Sequence, residues 1–554
     1  MEIAITGIGM ITALGAGSSV NHQQLLRGES ALRSPQILPT KHKEWPIGEV
    51  RYTNMELADL LQLQPQEREL SRNILLGLVA LREALADAAL TTQDCAEIPL
   101  LNGSTVGGMD LTEKHYSAWA KGDYKQLFLI EQHEAHYTSK KMCEMQGLKN
   151  AVTISTACSS ALNALIHGIG LLLTGEATRV VVGGTEAMTC FHLNGFSSLG
   201  ILSQHVCRPF QENRDGINLG EGAAYLVLED AQLARARGQH IYGYIAGYGN
   251  RCDAYHQTAS SPEGDGALDA MQMALSMGHL SPELIPYINA HGTATPNNDA
   301  SELRAIERLT CGAVLPRIES TKTLTGHTTS ASGSIEAIYT LFRMADCNYP
   351  YAITNAFGFG GNDSSLVLST TPVNLSVVAG DGSLHSTSVY ESTGDWDYKG
   401  HIPPMQARRM SPLIRQLIIA ANKAIEEAGV STIDGIVVGT RWGGMLPTMQ
   451  LLNQYIENGE DGFSPAQFMN STHNSAAGTL ARILLCKGYN TTVVDTLDSF
   501  NVALKDAKLA IRTGIANRVL VCYIDELEER WEALCKQQNI ETISKVKAKV
   551  IWQD

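Results

Sequence analysis

An internal repeat limits what this chain can fold into more than any other feature of its sequence. Three phrases recur in the same order, 336 to 340 residues apart: ALADAAL at 84–90 with AIEEAGV at 424–430, GSTVGGM at 103–109 with GTRWGGM at 439–445, and TGEATRVVV at 174–182 with TGIANRVLV at 513–521. We therefore predict that residues from about 375 to 554 are a second copy of about 40 to 230. The identity is weak, and chance similarity between α/β segments is the alternative.

Both copies have the pattern of an α/β fold. Apolar runs rich in β-branched residues alternate with longer helical patterns, as in 151–155, 159–174 and 179–184. This order of strand, helix and strand is typical of parallel sheets that are covered by helices on both faces. The repeat stops before any counterpart of residues 240–370, so we predict an incomplete second copy.

The composition argues against several classes of protein. No run of about 18 apolar residues is present, and no basic segment precedes the first apolar stretch, so we expect neither a membrane span nor a secretory signal. The 11 cysteines include no CxxC pair, which favours reduced thiols in the cytoplasm over disulfides or a cysteine-type zinc site. The net charge of −15 argues against general nucleic-acid binding.

A cysteine lies where a predicted strand meets a predicted helix. The strand leads into Cys158, and the helix that follows carries Leu162, Leu165 and Ile169 on one face. The free N–H groups and the macrodipole at a helix N-terminus stabilise a thiolate, so we predict a nucleophilic Cys158 with a lowered pKa. From these residues alone a buried structural cysteine is the alternative, and it is the commoner fate of a single cysteine.

Three further segments place polar residues next to glycine. His291 ends a strand in YINAHGTATP, at the edge of an α/β sheet where active sites form. Lys322 and His327 lie among small residues in STKTLTGHTTSASGSIE. The glycines of NAFGFGGND at 355–363 allow backbone N–H groups to approach a reacting centre, as an oxyanion hole requires. Each segment alone is a weak signal, because such histidines and glycine loops are common.

Taken in order, these segments resemble the β-ketoacyl-acyl-carrier-protein synthases, or ketosynthases, of the thiolase superfamily. The resemblance covers residues 1 to about 370 and rests on TACSSA around Cys158, HGTAT at His291 and KTLTGH at His327. It implies a thiolase-like α/β fold of two βαβ-type halves, followed here by an incomplete third half. Thiolases carry a second catalytic cysteine in a glycine-rich segment near the C-terminus. The glycine loop here has none, which favours decarboxylative condensation over thiolysis.

The resemblance and the repeat together give a domain organisation. We expect an N-terminal half with the nucleophile at 1–238, a C-terminal half at 239–370, a linker rich in Ser, Thr, Gly and Asp at 371–399, and a degenerate N-terminal-half domain at 400–554. A shift of 339 residues places Leu497 opposite Cys158, and one residue of slip places Asp498 there, so the second copy lacks a nucleophile. Ketosynthases generally dimerise through strands that follow the nucleophile helix. We therefore expect a homodimer, or a pseudo-dimer that uses 179–184 and 518–523.

The resemblance also implies roles for the candidate catalytic residues. Cys158 would take an acyl group from a carrier-protein thioester, and His291 and His327 would stabilise the enolate that forms when a malonyl thioester loses carbon dioxide. An oxyanion would lie between the N–H groups of Cys158 and Phe359. Phe359 belongs to a gating loop that includes Gly358 and Gly360.

The resemblance also implies that Lys322 pairs with Glu336, either to orient the His327 loop or as a purely structural pair.

The remaining expectations concern binding. We expect Thr293 and Thr295 to hydrogen-bond the pantetheine arm, and Val106, within Thr105–Met109, to form part of the wall of the acyl tunnel. Residues 127–142 should border a partner subunit. Arg208 should contribute to binding the acyl carrier protein. No metal or cofactor is implied, because phosphopantetheine arrives on the acyl carrier protein with the acyl or malonyl thioester.

The expected function is that of a 3-oxoacyl-[acyl-carrier-protein] synthase in fatty acid or polyene/polyketide biosynthesis. Two other classes stay open from the sequence. One is a non-condensing chain-length factor or scaffold that serves another synthase, although the complete set of Cys158, His291 and His327 argues against it. The other is an acyltransferase or thioesterase that acts through Cys158 and stops after acylation.

Overall fold

The computed structural model of the protein describes residues 1–312, 314–377, 383–408 and 410–553. The strands are β1 (Ile3–Thr12), β2 (Gly15–Ala16), β3 (Pro99–Gly103), β4 (Asn150–Ile154), β5 (Arg179–Glu186), β6 (Gly222–Asp230), β7 (Gly243–Cys252), β8 (Tyr287–Asn289), β9 (Arg317–Glu319), β10 (Tyr351–Gly358), β11 (Asn362–Ser369), β12 (Leu384–Ser386), β13 (Tyr390–Ser392), β14 (Gly435–Thr440), β15 (Tyr489–Val494), β16 (Arg518–Asp525) and β17 (Lys545–Gln553).

The α-helices are α1 (Ser18–Arg27), α2 (Asn54–Leu60), α3 (Arg72–Asp87), α4 (Thr92–Cys95), α5 (Met109–Ala120), α6 (Ala135–Gln146), α7 (Ser160–Leu173), α8 (Cys190–Ser198), α9 (Ala231–Ala236), α10 (Asp265–Met277), α11 (Pro296–Leu309), α12 (Lys322–Thr325), α13 (Ser332–Cys347), α14 (Pro404–Ala407), α15 (Pro412–Ala428), α16 (Met445–Asn458), α17 (Pro465–Ser471), α18 (Ser475–Leu484), α19 (Ser499–Arg512) and α20 (Glu529–Gln537). Short 3-10 helices are Pro65–Glu67, Leu127–His133, Ala157–Ser159, Pro282–Leu284 and Thr329–Ala331. None of the helices in the described ranges is long and apolar enough to cross a membrane.

Two sheets of the same topology form the first two thirds of the molecule. The first has the order β4-β3-β5-β6-β1, in which β3 is parallel to β4 and β5 while β6 is antiparallel to β5 and β1. The second has the order β9-β8-β10-β11-β7, in which β8 is parallel to β9 and β10 while β11 is antiparallel to β10 and β7. Two equivalent halves with helices on both faces confirm the predicted thiolase-like α/β class.

The helices α7 and α13 lie between these two sheets. α7 has the sequence SALNALIHGIGLLL and is buried over nearly its whole length, as expected for a helix that is apolar on almost every side. Its leucines and isoleucines share one core with residues of α13 and of both sheets. The helices α3 and α10 pack on the outer faces of the first and second sheets. This arrangement places the N-terminus of α7 deep inside the molecule.

A third sheet repeats the first. Its order is β15-β14-β16-β17, with β14 parallel to β15 and β16 and with β17 antiparallel to β16. The short strands β12 and β13 pair with the other edge of β17. β15, β14, β16 and β17 thus take the places of β4, β3, β5 and β6, and α19 takes the place of α7. The repeat in the sequence is a structural repeat.

The two copies join through strands that precede their central helices. β15 is antiparallel to β4, with Val493 opposite Ile154, so a continuous sheet runs through both copies. The prediction that 179–184 and 518–523 form this contact is wrong. These residues lie in β5 and β16, which already have a hydrogen-bonded neighbour on each side. Such a strand has no free edge to offer a partner, whereas β4 and β15 are edge strands of their own sheets.

The predicted linker 371–399 is shorter than expected. Residues 384–392 contain β12 and β13, which supply the counterpart of β1 for the third sheet. Trp396 packs on the core of the same domain. Residues 378–382 of the predicted linker lie outside the described ranges. The other predicted domain boundaries stay predictions.

Candidate active site

Cys158 lies in the turn between β4 and α7. A single 3-10 turn, Ala157–Ser159, leads directly into Ser160, the first residue of the helix. Ala157 has a φ of 55°, in the left-handed region, which costs a non-glycine residue about 1 kcal/mol. The Ser160 hydroxyl stabilises this turn, since it accepts a hydrogen bond from the Thr156 N–H at 2.9 Å and donates one to the Ala157 carbonyl at 2.6 Å. The turn holds Cys158 at the helix N-terminus, 6% exposed.

An imidazole faces the Cys158 thiol. His327 Nε2 lies 2.9 Å from Cys158 Sγ, and the Phe359 backbone N–H donates to the same sulfur. The other ring nitrogen, His327 Nδ1, lies 3.0 Å from the Ser332 hydroxyl oxygen. The backbone of His327 is also fixed, because its N–H donates to the Asn218 carbonyl at 2.7 Å. Both the ring and the main chain of His327 are therefore held in place.

His291 stands next to His327. Their ring centroids are 5.3 Å apart and the rings are nearly perpendicular, at 85°. The Glu302 carboxylate holds the loop of His291: its two oxygens accept the N–H groups of His291 and Gly292, each at 2.8 Å. Asn355 also donates to Glu302, at 3.1 Å. The structure thus brings Cys158, His291 and His327 together from three separate loops.

Lys322 and Glu336 form a buried ion pair behind the histidines. Lys322 Nζ lies 2.5 Å from Glu336 Oε1, and the two side chains are only 1% and 3% exposed. Burial raises the pKa of Glu336 to about 7, opposed by the Lys322 ammonium. The structure therefore contains the pair that the resemblance implies.

Burial decides the charge state of the centre. It raises the pKa of Cys158 to about 12, although the Lys322 ammonium and the Phe359 N–H lower it. Burial, and after it the Lys322 ammonium, lowers the pKa of His291 and His327 well below the usual range. The prediction of a lowered Cys158 pKa is wrong for the free protein, because desolvation outweighs the favourable field of the helix N-terminus. Cys158 and His327 form a neutral thiol and imidazole pair.

The glycine loop closes over the cysteine from the other side. A Cβ at Gly358 would lie 2.6 Å from the Thr156 carbonyl oxygen, so only glycine permits this close approach. Gly360 has a φ of 87°, and its N–H donates to the Gln257 carbonyl at 2.9 Å. The second copy holds the loop as well, because Asn474 Nδ2 donates to the Phe359 carbonyl at 2.8 Å.

Cys158 lies where two cavities meet. The outer cavity contains His291, His327, Thr293 and Thr295, and the hydroxyl oxygens of the two threonines are 2.8 Å apart. Arg208 is not among its lining residues; its guanidinium lies 3.7 Å from the Asp215 carboxylate, with 34% of its side chain exposed.

The inner cavity lies between the two copies. Val106, Met109, His133, Phe191, His192 and Phe196 line it from the first copy, and Trp442, Thr448, Phe468 and residues 471–473 line it from the second. Trp442 is the repeat counterpart of Val106, at the position in GTRWGGM where GSTVGGM has valine. Two equivalent loops therefore form opposite parts of one wall.

Equivalent carboxylates fix these two loops. Glu186 accepts the N–H groups of Thr105 and Val106, at 3.0 and 3.1 Å. Asp525, its counterpart in the second copy, accepts the N–H of Trp442 at 3.0 Å.

The segment 127–142 lies at the border with the second copy. In it, Glu134 accepts two hydrogen bonds from the Arg441 guanidinium.

The second copy contains no equivalent of the nucleophile. Leu497 is 45% exposed, and Asp498 occupies the N-cap position of α19. In the described part of the chain, no group of three or more His, Cys, Asp or Glu side chains could hold a metal ion.

Sequence patterns do not single out Glu302 and Asn474. Glu302 lies in α11 among other charged residues, and such residues normally mark a solvated face. Asn474 reaches the glycine loop only because the two copies are packed together, and no local pattern reports that contact. In contrast, the glycines beside His291, His327 and Phe359 were a usable signal.

Comparisons with known proteins agree with this geometry. Residues 1–234 and 242–354 match the families described as "Beta-ketoacyl synthase, N-terminal domain" and "Beta-ketoacyl synthase, C-terminal domain", and residues 389–543 match a second family with the N-terminal description. The 3-oxoacyl-[acyl-carrier-protein] synthase 2 of Staphylococcus aureus (strain N315) is 33% identical over 408 residues, which are 66% of this chain and 97% of that protein.

Two solved structures are similar as well. The ishigamide ketosynthase/chain length factor is 27% identical and has a TM-score of 0.62, over 67% of this chain and 99% of that chain. The PfaC keto synthase-chain length factor is 17% identical and has a TM-score of 0.82, over 100% of this chain and 78% of that chain. At that identity the second similarity concerns the fold alone.

Proposed function

The chain belongs to the β-ketoacyl synthase family, and from this membership we propose that it is a 3-oxoacyl-[acyl-carrier-protein] synthase of fatty acid or polyene/polyketide biosynthesis. It condenses an acyl thioester with a malonyl thioester and releases carbon dioxide. The observation that carries the proposal is the 2.9 Å contact between His327 Nε2 and Cys158 Sγ, beside His291 and at the junction of two cavities.

The first step transfers the acyl group to Cys158. The sulfur attacks the thioester carbonyl, the bond from that carbon to the pantetheine sulfur breaks, and the thiol proton passes to the leaving sulfur. Because the thiol and the imidazole are both neutral in the free protein, proton transfer accompanies the attack. The N–H groups of Cys158 and Phe359 stabilise the oxyanion.

The second step forms the carbon–carbon bond. The bond to the malonyl carboxylate breaks, carbon dioxide leaves, and the electron pair moves into a thioester enolate. His291 and His327 stabilise the enolate oxygen through their Nε2–H groups, and the buried Lys322 ammonium adds a favourable positive charge. The enolate carbon then attacks the acyl carbonyl on Cys158, and the carbon–sulfur bond breaks with its electron pair left on the sulfur. Cys158 takes one proton from solvent to become the neutral thiol again, and a β-keto thioester longer by two carbons leaves.

The outer cavity suits the pantetheine arm. Its paired hydroxyls, Thr293 and Thr295, offer hydrogen bonds to an amide-containing chain that extends towards Cys158. The phosphopantetheine belongs to the acyl carrier protein, so we assign the protein no cofactor of its own. We propose a local contact at Arg208 for that acidic partner.

The 11 free cysteines fit a reducing compartment, which supports a cytoplasmic location.

We further propose that the second copy replaces the partner subunit of a dimer. The supporting observation is that Trp442 lines the inner cavity together with Val106. The Asp525 carboxylate holds Trp442 in place by accepting its backbone N–H. Trp442→Ala should enlarge the inner cavity and lengthen the longest product. Trp396 packs on a core of the second copy that does not line this cavity, so Trp396→Ala should leave the product length unchanged. Identical product lengths for wild type and Trp442→Ala would contradict this role.

Mass spectrometry of the intact protein tests the proposed function. We expect acyl carrier protein loaded with an acyl chain to acylate Cys158, and malonyl carrier protein to release a product two carbons longer. Acylation without elongation would identify an acyltransferase. Absence of acylation would identify a non-catalytic chain-length factor or scaffold.

A further inference from the structure

The tip of the glycine loop, residues 359–361, connects β10 to β11 and is held from two sides. The first copy holds two residues of this loop tip. The Gln257 carbonyl accepts the Gly360 N–H at 2.9 Å, and the Gly361 carbonyl accepts the Asp253 N–H at 2.7 Å. The remaining residue is held by the second copy.

Asn474, at the start of α18, supplies the hold from the second copy. Its Nδ2 donates to the Phe359 carbonyl at 2.8 Å, and its side chain is buried. An asparagine at the N-cap position of a helix normally accepts an N–H of its own helix. Asn474 occupies that position but makes no such bond. Its amide therefore stabilises the loop tip of the first copy and not its own helix.

The backbone of α18 also approaches the loop tip. A Cβ at Gly478 would lie 2.9 Å from the Gly360 carbonyl oxygen and 3.0 Å from Gly360 Cα. This close approach needs a glycine at position 478, although glycine destabilises the interior of a helix relative to alanine. Two features of α18, an amide and a missing side chain, thus fit the loop tip.

Aromatic rings lead from the second copy to the same place. The Phe359 ring stacks on Phe196, with centroids 5.8 Å apart, and Phe196 packs against Phe468 of the second copy at 5.5 Å. Phe359 lines both the inner and the outer cavity, whereas Asn474 lines neither. Asn474 can therefore act on the reaction only through the loop tip.

The loop tip carries a donor that the reaction uses. The Phe359 N–H donates to Cys158 Sγ in the free protein, and in the proposed reaction it stabilises the oxyanion together with the Cys158 N–H. Such a donor is effective when it is fixed in place before the charge develops. The hydrogen bond from Asn474 to the Phe359 carbonyl restricts the residue that carries this N–H.

We propose that Asn474 is a positioning residue of the reaction, which holds the Phe359 N–H from the second copy at the place where the oxyanion forms. The inference rests on the proposed function, because the oxyanion belongs to the acyl transfer proposed for Cys158. It gives the second copy a part in the rate of the chemistry, in addition to the shape of the inner cavity. Loss of one neutral hydrogen bond shifts the equilibrium between a held and a released loop tip about fivefold.

Two measurements on the full chain test the inference. The probe is octanoyl pantetheine with an isotope label at its carbonyl carbon. Intact mass gives the maximal rate of Cys158 acylation and the apparent KM, and infrared spectroscopy gives the carbonyl stretch of the octanoyl group on Cys158. Asn474→Ala should lower the maximal rate about fivefold and change KM less than about twofold, because Asn474 lines neither cavity. The carbonyl stretch should move to higher frequency, because a carbonyl that loses a hydrogen bond has a stronger C=O bond.

Asn453→Ala is the matched control. Asn453 also bonds from the second copy to the first, since its Oδ1 accepts the Tyr116 hydroxyl at 2.8 Å, but it lines neither cavity. This variant should keep the wild-type rate and carbonyl stretch. Gly478→Ala provides a second test if Asn474→Ala fails to fold, which a thermal melt would show. Its methyl group displaces Gly360, so the rate and the stretch should change in the same directions.

The outcomes separate the inference from the proposed function. A wild-type rate and carbonyl stretch in both Asn474→Ala and Gly478→Ala overturn the inference and leave the proposed function standing. A slower rate with an unchanged stretch also overturns it, because the substitution then does not act on the oxyanion donor. Changes of equal size in Asn453→Ala overturn it as well. Absence of acylation of the wild-type protein, by octanoyl pantetheine and by an acylated carrier protein, overturns the proposed function and the inference together.

Discussion

His167 Nδ1 lies 2.7 Å from Asp506 Oδ1, and the two residues hold the same position in the two copies, 339 residues apart. Ile154 and Val493, which face each other where β4 pairs with β15, have the same separation in the sequence. A residue that contacts its own counterpart lies on a twofold axis. The two copies are therefore related by a pseudo-twofold axis between α7 and α19, within one chain.

Removal of the imidazole at this axis should destabilise the protein. His167→Ala leaves the Asp506 carboxylate buried, with Tyr489 as its remaining hydrogen-bond donor among the described side chains. Leaving a buried carboxylate without one of its hydrogen-bond donors costs about 3 kcal/mol, and we expect a loss of that size in the free energy of unfolding, measured by urea denaturation. Glu176→Gln is the control. It breaks the exposed pair between Glu176, in the turn after α7, and Arg512, the last residue of α19, and should cost less than about 1 kcal/mol.

Cys158→Gln separates the two chemical steps. The glutamine amide imitates an acylated cysteine, so His291 and His327 should still stabilise an enolate. We expect this variant to release carbon dioxide from malonyl carrier protein and to form no elongated product. The measurements are carbon dioxide release and the mass of the carrier-protein product. Elongation by this variant would remove Cys158 from the mechanism.

The reactivity of Cys158 should increase steeply with pH. A thiol whose folded-state pKa is raised to about 12 is protonated at neutral pH, and its thiolate fraction increases about tenfold per pH unit below that pKa. Alkylation of Cys158 by iodoacetamide, followed by peptide mass spectrometry, should therefore accelerate continuously from pH 7 to pH 10. Glutathione provides the reference, because its rate levels off near its ordinary thiol pKa. A plateau for Cys158 below pH 9 would contradict the raised pKa.

Gly195 should control the shape of the inner cavity. A Cβ at this position would lie 2.1 Å from the nearest ring carbon of Phe468, which lines the cavity from the second copy. Gly195→Ala therefore displaces the Phe468 ring. We expect octanoyl transfer to Cys158 to slow more than acetyl transfer, because the longer chain extends past the displaced ring. Equal slowing of both reactions would show that the substitution acts on the cysteine itself.

The sequence was sufficient to predict the fold class and the three groups that meet at the site. Cys158, His291 and His327 each lie in a short local pattern, and the topology of an α/β fold brings such loop ends together. The incomplete copy was also predictable, because its helices and strands retain their order. These features depend on local sequence and on a known architecture.

The contact between the copies was not predictable in the same way. Edge pairing depends on which strands lack a neighbour, and this property of β4 and β15 follows from the assembled sheets. The raised pKa of Cys158 has a similar origin. The favourable field of the helix is local and visible in the sequence, whereas the burial that outweighs it comes from the surrounding residues of three loops.

The pairing of β4 with β15 has a consequence for synthesis of the protein on the ribosome. The partner residue Val493 follows Ile154 by 339 positions, and translation at about 5 to 20 residues per second separates the two strands by about 20 to 70 s. During that interval the complete catalytic portion has emerged while the edge of β4 is unpaired. A nascent chain in this state can pair with a neighbouring nascent chain instead of with its own C-terminal copy.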